Sequence, residues 1–184
     1  MDEPGESGLS PEEPGKVVAE LERLHARSFA WALACCRGNR SEAEEVLQVV
    51  YMKVVDGSAR FSARSRFRTW LFGVIRLTAL ERRRTALLHR LLEFRTYAWH
   101  RSDGYSAAPK TGDEDERAEA LRSALGKLPR RQREVINLVF YQDMSVAEAA
   151  EVMQVSVGSA RSHYERGKKR LRIELQAVGM SRVC

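Results

Sequence analysis

Four residues near the C-terminus, Arg161, Ser162, Glu165 and Arg166, are spaced i, i+1, i+4 and i+5, which gathers them on one face of a helix. Their chemistry is that of base-edge recognition. Arginine donates twice to guanine, serine donates or accepts, and glutamate accepts from the cytosine amino group. From Val157 to Ile173 the chain holds six basic residues, Arg161, Arg166, Lys168, Lys169, Arg170 and Arg172, against one acid, Glu165. Such an excess grips phosphates, so this face predicts a nucleic-acid ligand. On these residues alone, a solvated basic face on a helical hairpin is the competing account.

The elements that must position this face are legible upstream of it. Residues 145–153 read as a short amphipathic helix, Gln154 to Ser156 as a tight polar turn, and Ser156 as the N-cap of a second helix. Ala150, Val152, Val155, Ala160 and Tyr164 are apolar at intervals that let two crossing helices share a small core, with Leu171 continuing the buried side. These are the parts of a helix-turn-helix, which lays its second helix in the major groove.

A second constellation lies between Ala59 and Arg84. Arg60, Arg64, Arg66, Arg68, Arg76, Arg82, Arg83 and Arg84 face a single acid, Glu81, with Phe61, Phe67, Trp70 and Phe72 interleaved. Guanidinium groups and rings at this density supply phosphate contacts and base stacking together, as single-stranded nucleic acid requires. Trp70, Leu71, Val74 and Ile75 are expected in the core, which leaves Phe61 or Phe67 as the stacking ring.

The rest of the chain reads as helices and connectors. Residues 1–15 carry Asp2, Glu3, Glu6, Glu12 and Glu13 with no base, and their proline and glycine content predicts a disordered acidic tail. Val17, Leu21, Leu24, Phe29, Ala32 and Leu33 predict a helix from Lys16 to Cys36, stopped at residues 37–40. Ser41 with Glu44 reads as a capping box opening a helix to about Val55. Residues 85–100 read as helical and rich in leucine, and 101–112 as a flexible linker. Asp113 starts a further helix, and Pro129 is expected in the first turn of one running to about Tyr141. With no strand pattern, the expected fold is all-α: two small helical domains, 16–100 and 113–184, the second a helix-turn-helix.

Composition narrows the function classes. The net charge of +6 over 184 residues conceals an acidic start, since residues 1–15 carry −5 and the remainder +11. No stretch approaches the roughly 20 apolar residues that span a bilayer, and residues 1–15 lack the basic and apolar parts of a signal peptide. A cytoplasmic protein without membrane insertion is expected. Cys35, Cys36 and Cys184 lack zinc-site or disulfide spacing and read as structural thiols. His25, His89, His100 and His163 stand far apart with no nucleophile motif, carboxylate pair or phosphate loop, so no catalytic residue, metal or cofactor is expected.

Two blocks, in this order, resemble a bacterial extracytoplasmic-function (ECF) sigma factor of the sigma factor superfamily. The first holds residues 42–48 with Tyr51 and Lys53, then Phe67 to Phe72 and Arg76. The second holds residues 128–135 and then 145–171. The resemblance implies a non-catalytic RNA polymerase subunit. Core RNA polymerase would bind at Glu44, Glu45, Gln48 and Lys53. Promoter DNA would meet Phe61, Arg64, Arg66, Phe67, Arg76, Leu77 and Arg83 at a melted minus-ten element. The duplex minus-thirty-five element would meet Ser159, Arg161, Ser162, Glu165, Arg166 and Lys169. The alternative is a free-standing helix-turn-helix regulator that uses only the C-terminal domain.

The chain also departs from the pattern. Leu77 stands where the family usually has Asn, which implies a different downstream base preference. Val49 replaces a common acid beside the polymerase-facing positions, and Gln154 occupies a turn where Gly often supplies positive φ. The apolar residues from Leu87 to Trp99 exceed what a tether needs and imply packing on a domain or on an inhibitory anti-sigma protein.

Overall fold

A computed structural model of the chain describes residues 14–93 and 113–177. The acidic tail through Glu13, the linker at 101–112, the stretch from Phe94 to Trp99 and Cys184 lie outside the described residues. Every regular element among the described residues is helical, as the absence of a period-two pattern predicts. The chain divides into two compact units, Met1–Tyr105 and Ser106–Cys184.

The first unit packs three helices, α1 (Pro14–Cys35), α2 (Arg40–Val55) and α3 (Phe67–Glu93), against one another. Helix α1 begins at Pro14, two residues before the expected start. Its period-3.6 stripe buries Leu21, Leu24, Trp31 and Ala32 against Val46, Leu47 and Val50 of α2 and Leu71, Phe72 and Ile75 of α3. Trp31 is fully buried, and its Nε1 donates to the Phe72 carbonyl at 3.0 Å. That bond answers the one polar atom a buried indole brings into a core.

The junction between α1 and α2 corrects the expected capping box. Arg37 and Gly38 take positive φ, 57° and 86°, and Gly38 N–H donates back to the Leu33 carbonyl at 2.9 Å. This is a Schellman-type ending. Asn39 then stands extended, and its Oδ1 accepts from Glu42 N–H at 3.1 Å, so Asn39 is the N-cap in place of Ser41. Ser41 is already inside the helix, and the Glu44 carboxylate binds Arg40 Nε at 2.9 Å instead of reaching back to a cap.

The second unit contains α4 (Asp113–Gly126), α5 (Arg130–Ile136), a π-helical turn (Asn137–Tyr141), α6 (Val146–Met153) and α7 (Val157–Ala177). Pro129, expected within the first turn of α5, is its N-cap, with ψ at 142° before the helix begins. The helix does run to Tyr141, but its last five residues widen into the π turn, where Gln142 N–H reaches the Asn137 carbonyl at 3.2 Å. Helix α6 opens with a complete capping box: Ser145 Oγ accepts from Glu148 N–H at 3.2 Å, and Glu148 Oε2 accepts from Ser145 N–H at 2.8 Å. Ser156 Oγ accepts from Ser159 N–H at 3.2 Å, which caps α7 as the sequence predicts.

Two backbone positions set the angle and spacing of the helix-turn-helix. Gln154 adopts φ 54° and ψ 51°, the left-handed conformation that costs a side-chain-bearing residue roughly 1–2 kcal/mol. Replacing Gln154 with Gly is expected to stabilise this unit by about 0.5–1 kcal/mol, because relief of that strain exceeds the added unfolded-state entropy. Urea titration followed by circular dichroism measures the shift. Gly167 marks the close approach of α7 to α5, where a Cβ would stand 2.8 Å from Ile136 Cδ1 and 3.3 Å from the Gln132 carbonyl oxygen.

Candidate nucleic-acid interfaces

Helix α7 presents its polar face as the spacing predicts. Ser159, Arg161, Ser162, Glu165, Arg166 and Lys169 are all exposed, while Ala160 on the opposite side is fully buried among α5 and α6. Tyr164 and Leu171, expected to be buried, are half-buried because they lie at the edge of the packed stripe. The Tyr164 ring tilts against Phe140 with centroids 5.9 Å apart, and Lys168 Nζ sits 4.7 Å above it. Glu165 pairs with Lys168 at 3.1 Å, so its carboxylate is partly neutralised while still facing solvent. The first turn of α7 contains no acid, so its positive dipole end adds to the attraction for phosphate.

An apolar groove of about 690 Å³ runs beside this face, floored by Leu121, Leu125, Ile136 and Leu175 and rimmed by Arg166 and Lys169. The π turn contributes Phe140 and Tyr141, which are each about half exposed. The sequence signal for this groove was present in the apolar residues of α4 and the end of α7.

On the first unit, Phe61, Phe67 and Trp70 form an aromatic cluster with centroids 5.3–5.4 Å apart. The ring assignments from sequence change here. Phe67 is 3% exposed and lies beneath the cluster, whereas Trp70, expected in the core, is half-buried and shares the accessible edge with Phe61. Arg64 and Arg66 are exposed, Arg83 is half-buried and Leu77 faces outward. Arg76 is 4% exposed because it continues the inward stripe of Phe72 and Ala79 at helical spacing. In this structure Leu77, not Arg76, is therefore the member of that pair offered to a ligand.

Helix α2 turns Glu44, Glu45 and Gln48 outward, opposite the buried Ala43, Val46, Leu47 and Val50. Glu45 pairs with Arg82, and Lys53 reaches Glu81 at 3.5 Å, so two of the four positions also tie α2 to α3. Met52 and Val55 expose well over half of their surface near the end of the same helix, an apolar addition that the charge pattern did not reveal.

Cys35 and Cys36 fit a packing role. Cys36 is buried, and desolvation, with Glu42 adding to it, pushes its thiol up to about 12, so it is a neutral thiol near pH 7. Cys35 is half-buried and is in no disulfide. Among the described residues no cluster of three or more metal-ligating side chains occurs, and no helix is long and apolar enough to cross a membrane.

Comparison with known proteins covers parts of both units. Residues 21–87 match the family described as Sigma-70 region 2, and residues 118–171 match Sigma-70, region 4. Over 145 residues the chain is 28% identical to the ECF RNA polymerase sigma factor SigX of Bacillus subtilis, covering 76% of this chain and 74% of that protein. It is 27% identical over 187 residues to the ECF RNA polymerase sigma factor SigL of Mycobacterium tuberculosis, covering 96% and 98%. The fold is similar to that of the sigma factor RpoE solved with the anti-sigma factor NepR from Bartonella quintana. The TM-score there is 0.69 at 22% identity, covering 88% of this chain and 97% of that one.

Proposed function

Because the chain belongs to the sigma-70 family as an ECF sigma factor, we propose that it directs transcription initiation as a dissociable, non-catalytic subunit of RNA polymerase. The observation that carries this is the presence of region 2 and region 4 in order on one chain. A duplex-reading helix-turn-helix and an arginine-aromatic surface suited to single strands are then joined in one molecule. In this reading, residues 16–100 form the polymerase-binding and melting domain and residues 113–184 the upstream-element domain. The work is cytoplasmic, where polymerase and chromosome are.

The division of labour follows the chemistry of each face. Exposed Arg161, Ser162, Glu165 and Arg166 read base edges in the minus-thirty-five duplex, while Ser159 and Lys169 hold phosphates. At the minus-ten element, unstacking a base costs a few kcal/mol. Stacking on Phe61, the guanidinium groups of Arg64, Arg66 and Arg83, and the exposed Leu77 offset it. Phe67 and Arg76 take part in this site from beneath, by holding its shape. An inhibitory anti-sigma protein is the natural second partner, and the groove beside α7 supports it: an occupant there would crowd Arg166 and Lys169.

The polymerase contact is tested without disturbing the fold. Glu44 and Gln48 project from α2 away from its buried stripe. Replacing both with Ala is expected to weaken binding to core polymerase by about tenfold or more, or roughly 1.4 kcal/mol upward. The melting temperature should hardly move. Anisotropy of the labelled chain titrated with core enzyme measures this, and unchanged affinity would move the contact elsewhere.

A further inference from the structure

Of the six basic residues between Val157 and Ile173, Lys168 alone is half-buried, while Arg161, Arg166, Lys169, Arg170 and Arg172 are exposed. Two contacts account for the difference. Lys168 Nζ sits 4.7 Å above the Tyr164 ring and 3.1 Å from Glu165 Oε1. Both partners lie one turn back on α7, at i−4 and i−3, and a helical side chain leans toward the N-terminus, so Lys168 settles between them. The ring is backed in turn by Phe140 of the π turn, with centroids 5.9 Å apart. An exposed ion pair ordinarily contributes little, because two long side chains must both be ordered. Here the ring already orders the lysine, and only the carboxylate remains to be placed.

The consequence falls on Glu165. It is the one acid between Val157 and Ile173, and it stands on the face assigned to base reading. An uncompensated carboxylate there is repelled by every phosphate that the neighbouring cations attract. With its charge offset by the ammonium at Oε1, Oε2 is the oxygen left to accept from a base. In the major groove the cytosine amino group supplies such a donor. The adenine amino group does too, but the N7 beside it is an acceptor that a carboxylate does not match.

We propose that Lys168 is a positioning residue for base reading: held between the Tyr164 ring and Glu165, it fixes and neutralises that carboxylate, so that Glu165 selects cytosine at one position of the duplex. This rests on the reading of α7 as the duplex-reading helix and adds to it one specified base and the residue that makes the selection work. It also gives the π turn a task, since Phe140 backs the ring on which the lysine rests.

The test is selection by the full chain from a duplex pool randomised over about 10 base pairs, one helical turn, followed by anisotropy titration of the enriched duplex. The wild type should enrich a site with one cytosine position that Glu165→Gln flattens by about tenfold. Lys168→Gln should flatten the same position on the order of fivefold, and Lys168→Arg, which keeps the charge and stacks on a ring, should restore it. Tyr164→Leu should weaken the preference by about twofold to fivefold, through loss of the cation–π contact alone. The two sites are also coupled in sign. Glu165→Gln should lower affinity for the enriched duplex in the wild-type background and raise it in the Lys168→Gln background, where the carboxylate is left uncompensated. Melting temperatures of the Lys168 and Glu165 variants should hardly move, as for any exposed pair.

A uniform loss of affinity in Lys168→Gln with the cytosine position intact overturns the proposal and makes Lys168 a phosphate contact. A gain for every duplex in Glu165→Gln, without any change of preference, overturns it as well and leaves Glu165 as a repeller of non-specific DNA. Enrichment of no sequence by the wild type overturns the reading of α7 itself, and the role of Lys168 with it.

Discussion

Replacing Trp31 with Ala is expected to destabilise the first unit by about 3–5 kcal/mol, the range for deleting a buried indole. The side chain is fully buried between α1 and α3, stacks near Phe72 with centroids 6.2 Å apart, and donates to the Phe72 carbonyl. Small domains hold only about 5–15 kcal/mol in total, so most of the unit's stability goes with this ring. Trp31→Phe keeps much of the volume and loses the N–H, and should cost less. Chemical denaturation followed by far-ultraviolet circular dichroism ranks the two. Equal and small losses would mean that α1 and α3 are held together by something other than this side chain.

The second large effect belongs to the reading face of α7. Arg161→Ala or Arg166→Ala should cost about 1–3 kcal/mol of promoter affinity and relax sequence preference where that arginine meets a base. Both are exposed, so neither change should move the melting temperature. Lys169→Ala should instead weaken all duplexes alike and reduce the salt slope by about 0.9, as a phosphate contact does. Binding to a randomised duplex pool, sequenced before and after selection, separates the two outcomes. A uniform loss for both arginines would reassign them to the backbone.

How much of this was legible in the sequence depended on whether a local rule had a single answer. The helix-turn-helix was legible because its signals agree: Ser145 and Ser156 each stand three residues before a backbone N–H they can accept from, and Ala150 and Ala160 are small where helices cross. Gln154 was also readable as the misfit in the turn, and its φ of 54° bears that out.

The rest turned on competition between neighbours. Ser41 and Asn39 are both good caps, and the positive-φ pair Arg37 and Gly38 chose Asn39 by deciding where the chain becomes extended. In α3 nearly every residue from Phe67 to Ile75 is apolar or arginine, so period alone could not tell that Phe67 and Arg76 turn inward while Trp70 keeps an exposed edge. Trp31 escaped notice because the stripe through Leu24 and Phe29 already satisfied a helical period, and only packing shows that the indole is central while Phe29 is half-buried. The π turn has no local signal that these rules read. It places Phe140 and Tyr141 at the groove, a consequence of backbone register rather than of composition.

The central claim is that these two units together bring RNA polymerase to promoters and open them. Run-off transcription with core polymerase, the purified chain and fragments of the host genome tests it most directly. The expected result is initiation at a small set of start sites that share one upstream and one downstream element, with none when the chain is omitted. Duplex DNA binding with no affinity for core polymerase and no start site on any fragment would contradict the claim and mark the chain as a free-standing helix-turn-helix regulator.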